Sequence, residues 1–141
     1  MDLITSMTIG AAASLSISLL LRPIWSRFAL RQTTNSGQAP WSAVTARADG
    51  LYLFAHAIAG ASQGVLFWLS WGFAALSIKS WWLHGVIVGA AYAMLLVLPL
   101  LAICASVIRI GRSYWWVLMG EALLTCVAVG LACSWNWMHV R

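Results

Sequence analysis

The amino-acid sequence predicts an all-α integral membrane protein, a four-helix bundle with four transmembrane helices and both termini outside. The first reason is composition: hydrophobic residues make up 62% of the 141 residues, and charged residues only 8%. A soluble globular domain has about 25% charged residues, so this chain has too few to cover a water-exposed surface. The composition excludes a disordered chain, a disulfide scaffold and an ordinary soluble enzyme.

The second reason is that four apolar stretches are each long enough to cross a bilayer, which needs about 20 residues. None alternates apolar and polar residues with the period of two that a transmembrane β-strand requires, so each is expected to be a helix. We expect a single membrane domain over residues 1–141. Its predicted spans are residues 3–21, 51–76, 83–108 and 114–135, with a cytoplasmic loop over 22–50.

The basic residues predict the orientation of these spans. Six of the eight lie between spans one and two or between spans three and four, and only Lys79 and Arg141 lie on the other side. The positive-inside rule then places the two Arg-bearing connections in the cytoplasm and both termini outside a plasma or inner membrane. Topology therefore explains the net charge of +5, and the expected partner is the lipid bilayer rather than nucleic acid.

Small residues recur four positions apart in the first three spans. In lipid, such residues let helix backbones approach closely, because burial from water no longer drives helix association. We expect these residues to lie at helix–helix contacts, either inside a compact bundle or between copies in a homo-oligomer. They are Gly10, Ser14, Gly60, Gly64, Gly85 and Gly89.

The few polar side chains inside the spans mark a candidate site, because such groups are costly in hydrocarbon and usually face protein or water. His56 lies five residues into span two, at a depth of about 7.5 Å, and Glu121 lies six residues beyond Trp115, at about 9 Å. The depths match on two helices that run in the same direction. The predicted intramembrane polar site collects His56, Gln63, Glu121, Thr125 and Pro99 in the cytoplasmic half.

Two further residues bear on the chemistry of this site. Pro99 has no N–H, so it removes the helical hydrogen bond to the carbonyl of Leu95 and can kink the third span. His84 is expected at the outer interface, and a bis-histidine haem site is not expected because His56 and His84 lie near opposite faces. The three cysteines show neither CxxC spacing nor clustered histidines, so no metal and no cofactor are predicted.

These residues predict a class of protein. The favoured function is a small, multi-pass, non-enzymatic membrane protein that associates with other membrane proteins or supports transport. Three alternatives stay open: a proton- or cation-coupled small transporter, a lipid-acting enzyme with Glu121 and His56 as acid and base, and an immunity-type protein that blocks a membrane-acting toxin. One carboxylate and one histidine without a nucleophile elbow do not make a catalytic constellation. The pair itself is either a structural contact that fixes helix register or an ion-binding site.

Overall fold

A computed structural model describes residues 2–36, 45–74, 80–107 and 112–139. These residues form helices α1 (Leu3–Ser36), α2 (Thr45–Ala74), α3 (Trp81–Tyr92), α4 (Leu98–Val107) and α5 (Arg112–His139), with a π-helical turn, Ala93–Val97, joining α3 to α4. Four stretches are long and apolar enough to cross a membrane: Leu3–Ile24, Gly50–Ser70, Trp81–Ile103 and Leu118–His139. The predicted all-α membrane fold is confirmed, and the described residues form no strand.

The segment predicted as the cytoplasmic connection, residues 22–50, is helical in its described parts. Helix α1 continues through Pro23 to Ser36, and α2 begins at Thr45. Residues 27–32 include Arg, Ala, Leu and Gln, which favour a helix, and residues 24–36 contain neither glycine nor a second proline. Because α1 is about 51 Å long and the hydrocarbon core is about 30 Å thick, the helix extends beyond the bilayer.

Some of the sequence predictions lie outside the described residues. They include the predicted ends of span two at 75–76 and of span three at 108, and the charges at Lys79, Arg109 and Arg141. The described third span begins at Trp81, and the described fourth span covers Leu118–His139.

Asp2 caps the N-terminus of α1. The backbone N–H of Thr5 donates a hydrogen bond to Asp2 Oδ1 at 2.7 Å, the usual geometry of an N-cap residue. The hydrogen bonds from Thr5 stabilise the ionised carboxylate and lower the pKa of Asp2 below its ordinary value. The one acidic residue at the start of the first span is therefore charged at neutral pH, where it also complements the helix dipole.

Helices α1 and α2 form an antiparallel pair whose backbones touch along a strip of small residues. A methyl group added at Gly10 would overlap the carbonyl oxygen of Gly60, and one added at Gly64 would overlap the carbonyl oxygen of Ser6. Ser6 Oγ also donates a hydrogen bond to the Gly64 carbonyl at 2.6 Å. Moving four residues back along α1, from Gly10 to Ser6, thus corresponds to moving four residues forward along α2, from Gly60 to Gly64.

Helices α3 and α5 form a second antiparallel pair of the same kind. A methyl group added at Gly85 would lie 2.8 Å from the carbonyl oxygen of Gly130, and one added at Gly89 would lie 2.6 Å from that of Cys126. The predicted packing glycines of the third span therefore face α5, inside the same chain.

Helix α5 joins the two pairs, since it packs against α1, α2 and α3, whereas α1 and α3 are not neighbours in the described structure. Phe67, Val129 and Cys133 form a fully buried hydrophobic cluster between these helices. The described interior also holds eight buried polar residues, which are Ser6, Ser14, Ser18, Gln63, His84, Glu121, Thr125 and Ser134. The outer surface is apolar, and Ile4 and Leu95 are each 75% exposed. This distribution fits a protein solvated by lipid, which keeps its polar groups away from hydrocarbon.

The π-helical turn lies directly before Pro99. The N–H of Leu98 donates to the carbonyl of Ala93, five residues back rather than four. Because Pro99 has no N–H to offer the carbonyl of Leu95, the regular four-residue pattern cannot continue through this point. The shift to five-residue spacing is the local response of the helix.

Candidate functional site

Four polar side chains from α1, α2 and α5 meet in one half of the bundle. His56 Nε2 lies 3.5 Å from Glu121 Oε1, and the Tyr52 hydroxyl donates a hydrogen bond to the same carboxylate oxygen. On the other side of the imidazole, Ser14 Oγ lies 3.4 Å from His56 Nδ1. These four residues, Ser14, Tyr52, His56 and Glu121, are called the polar cluster below.

The spacing of residues along each helix explains why the cluster forms. Tyr52 and His56 are four residues apart in α2 and share one face, and their rings make an edge-on contact with centroids 4.5 Å apart. Ser14 lies one turn beyond Gly10 on the strip of α1 that touches α2, so the contact at Gly10 sets Ser14 opposite His56. Glu121 approaches from α5.

The cluster is shielded from its surroundings. The Glu121 side chain is 5% exposed and that of His56 is 18% exposed, while Ser14 is fully buried. A buried carboxylate needs either a proton or a cation beside it. The described structure places the imidazole of His56 against Glu121, where it can serve as a neutralising partner.

The cluster offers hydrogen-bond partners for more than one protonation state. A protonated imidazole donates from both ring nitrogens, whereas a neutral one donates from one and accepts at the other. With the proton on His56, the imidazolium faces the carboxylate through Nε2, and Nδ1 donates to the Ser14 hydroxyl. With the proton on Glu121, the carboxyl group faces an accepting Nε2, and the contact with Ser14 is unchanged. Nε2 and Oε1 lie 3.5 Å apart, so transfer of a proton between the two residues requires their side chains to approach to about 3 Å.

The other predicted site residues are Gln63, Thr125 and Pro99, and none of them makes a hydrogen bond within the cluster. Gln63 Nε2 donates to the carbonyl of Cys126 at 2.5 Å and so links α2 to α5. Thr125 is 7% exposed and lies one turn beyond Glu121; its hydroxyl makes no hydrogen bond to the residues described. Pro99 is exposed and is not brought to the cluster, because α4 packs against α5 and the π-helical turn rather than against α2.

Sequence reasoning missed three features of the interior. Tyr52 was detectable, because it precedes His56 by one helical turn. Gly130 was detectable as well, since it lies between small residues four positions away on each side in α5. The burial of His84 was not predicted either: its side chain is fully buried, with its ring edge-on to Phe67 at a centroid distance of 5.2 Å.

The chemistry of the site is that of hydroxyl groups, one imidazole and one carboxylate. Within the described ranges, no three His, Cys, Asp or Glu side chains come together in a group that could hold a metal ion. Comparison with protein families, with curated proteins and with solved structures finds no match to this chain. The proposal of a function below is therefore argued from the polar cluster.

Proposed function

We propose that this protein is a small, multi-pass, non-enzymatic protein of a plasma or inner membrane, which supports transport by binding and releasing a proton at the polar cluster. The observation that carries this proposal is the contact of His56 with Glu121, whose side chain is only 5% exposed. Buried ionisable pairs in membrane-spanning helices commonly belong to proton or ion pathways. The hydroxyls of Tyr52 and Ser14 add the hydrogen bonds that a mobile proton needs.

A purely structural role explains the pair less well, because other contacts already set the packing of the helices. The backbone contact of Gly10 with Gly60 sets the register of α1 against α2, and the bond from Gln63 to the Cys126 carbonyl ties α2 to α5. Apolar residues of similar size often pack as well as a buried ion pair or better. A pair that adds little to packing and is costly to bury is better explained by the chemistry of its proton.

The burial of the cluster also bears on the competing functions. With Ser14 fully buried and Glu121 nearly so, the cluster suits an ion better than the headgroup of a lipid substrate. The small-residue strips at Gly60 and Gly85 are used inside the chain. Association with another membrane protein or with a second copy would therefore use the apolar outer surface.

Proton binding can be measured directly, because the chain has only three acidic side chains, Asp2, Asp49 and Glu121. In lipid nanodiscs we expect a protonated-carboxyl infrared band that titrates between about pH 4 and pH 9, the range that carboxyls and histidines cover in proteins. Glu121→Gln should abolish this band, and His56→Gln should change the pH at which it titrates. Asp2→Asn is the matched control and should leave the band intact, because Asp2 is exposed at a helix terminus.

The transport part of the proposal needs a second readout. In liposomes with a pH-sensitive dye inside, a pH jump outside should produce a dye response that Glu121→Gln removes and Asp2→Asn retains. If the carboxyl band survives Glu121→Gln, or if no carboxyl titrates, the proton site is refuted. If the band titrates and the dye does not respond, the transport role is refuted.

We also propose that both termini lie outside, on the ground that six basic residues lie on one side and two on the other. In a variant without its three cysteines, an impermeant maleimide added outside should label Ser80→Cys and spare Ser36→Cys. Permeabilised cells should show labelling at both positions. The opposite pattern in intact cells would reverse the orientation.

A further inference from the structure

We propose that the polar cluster exchanges its proton with water at one end of the bundle only, and that buried apolar side chains close the route to the other end. The near end is the one at which α1 carries Arg22, and the far end is the one at which α3 begins, at Trp81. The inference rests on the proposed proton site and names how access to that site is controlled.

The cluster lies close to the near end. Tyr52 is two residues inside the second described span, and Glu121 is three residues inside the fourth. Beyond them towards the near end, none of the α2 and α5 residues whose exposure the structure describes is buried. On α1 the next buried residue in this direction is Ser18, which is polar. Little apolar protein therefore separates the cluster from water at the near end.

Three side chains, called the apolar seal below, lie between the cluster and the far end. They are Phe67, Val129 and Cys133, which are fully buried and pack together. Val129 follows Glu121 by eight residues, about 12 Å along α5, and Phe67 follows His56 by eleven, about 16 Å along α2. Apolar constrictions of this kind exclude water, and hydrocarbon side chains offer a proton neither a donor nor an acceptor.

The helices that carry the seal are tied to one another around it. Helix α1 touches α2 through the backbone contact of Ser6 with Gly64. Helix α2 is joined to α5 by the hydrogen bond from Gln63 Nε2 to the Cys126 carbonyl, at 2.5 Å. Helix α5 returns to α1, since Cys133 Sγ donates to the Ser6 carbonyl at 3.8 Å. The three helices thus close on one another between the cluster and the far end.

Helix α3 reaches the level of the seal through His84. This side chain is fully buried, and its ring lies edge-on to Phe67 with a centroid distance of 5.2 Å. Because Phe67 is about 16 Å along α2 from His56, a proton cannot pass directly from one imidazole to the other. Release towards the far end therefore requires the seal to part, as alternating access does in other membrane proteins.

The test reads the Glu121 carboxyl band in proteoliposomes that hold unequal numbers of the two orientations and a strongly buffered interior. An impermeant maleimide on Ser36→Cys, at the near end of α1, counts the molecules whose near end faces outward, with the wild type as the blank for native cysteines. A change of external pH should at once titrate only that fraction of the wild-type band. A protonophore, which equalises the pH across the bilayer, should titrate the rest.

A variant of the seal should remove this sidedness. Phe67→Ala leaves a cavity beside the polar side chains of His84 and Gln63, and cavities with polar walls admit water. External pH should then titrate the whole band. The dye inside the liposomes should respond faster than in the wild type, by about tenfold or more if the seal is the main barrier to crossing. Val129→Ala serves if Phe67→Ala fails to fold.

Two controls accompany this variant. Leu69→Ala shortens a side chain of the same helix that is 55% exposed, so it should leave the sidedness and the dye response as in the wild type. The double variant Phe67→Ala, Glu121→Gln should lose the faster dye response. A faster response that survives Glu121→Gln is a leak that bypasses the cluster, and it overturns the inference.

The outcomes separate this inference from the function on which it rests. If external pH alone titrates the whole wild-type band at once, or the fraction whose far end faces outward, access from the near end only is overturned and the proton site stands. Unchanged sidedness in folded Phe67→Ala overturns the role of the seal. The absence of any titrating Glu121 band overturns both proposals.

Discussion

Replacing Gly60 with Leu should destabilise the folded protein by at least about 3 kcal/mol, the upper end of the cost of overpacking a well-packed interface. A methyl group added at Gly60 would overlap the carbonyl oxygen of Gly10 and lie 2.6 Å from Ser14 Cβ. The first obstacle is backbone, which cannot rotate out of the way as a side chain can. Helices α1 and α2 would have to separate, and the hydrogen bond from Ser6 to Gly64 would be lost. The free energy of unfolding in mixed detergent micelles measures the effect.

The chain supplies a matched control for this change. Gly120 is exposed and has no atom within 4 Å of the position that a methyl group would occupy. Gly120→Leu should therefore stabilise the protein slightly, by up to about 1 kcal/mol, because Leu favours a helix more than Gly does. Equal losses of stability in the Gly60 and Gly120 variants would contradict the close contact of α1 with α2.

Replacing His56 with Leu should give a loss of stability that depends on pH. Removing one partner of a buried ion pair costs about 3–5 kcal/mol, because the remaining charge is left uncompensated. Glu121 avoids that cost by keeping a proton, so the loss should be small in acid. As the pH rises, holding that proton becomes more costly by about 1.4 kcal/mol per pH unit. The loss should therefore grow with pH until it reaches the full cost of the unpaired charge.

A second substitution tests this explanation. In the double variant His56→Leu, Glu121→Gln no acid remains in the spans, so the dependence on pH should disappear and part of the stability should return at neutral pH. Unfolding free energies of the wild type, both single variants and the double variant at several pH values form a double-mutant cycle. A loss in His56→Leu that is the same at every pH would show that Glu121 carries no charge that His56 neutralises.

Much of the fold follows from the sequence because the bilayer imposes simple rules. Backbone groups in lipid must be satisfied within a segment, so long apolar stretches must be helices. Depth follows from the fixed rise of 1.5 Å per residue in an α-helix, so residue spacing alone gives His56 and Glu121 matching depths. The continuation of α1 past Pro23 as one helix does not follow from hydropathy, because the apolar stretch ends at residue 21 before several arginines.

The rest depends on the rotation of each helix about its own axis, which sequence spacing does not determine. Ser14 was predicted as a packing residue, and its contact with His56 depends on the register of α1 against α2. Pro99 has the depth expected of a site residue but is exposed, because α4 presents it away from α2. The contact of Tyr52 with Glu121 likewise needed the relative rotation of α2 and α5.

The π-helical turn before Pro99 has an evolutionary consequence. A turn with five-residue spacing contains one residue more than the α-helix around it needs, so the third span carries the equivalent of a single-residue insertion. Deleting Met94 would restore continuous α-helical spacing and leave the later side chains of α4 facing as they do now, because the π-helical turn absorbs the extra residue locally. Pro99 removes a hydrogen bond of the regular α-helix, and the extra residue of the π-helical turn lets the helix continue without that bond. A related sequence without a proline at this point should therefore also be one residue shorter here, so that the two are gained and lost together.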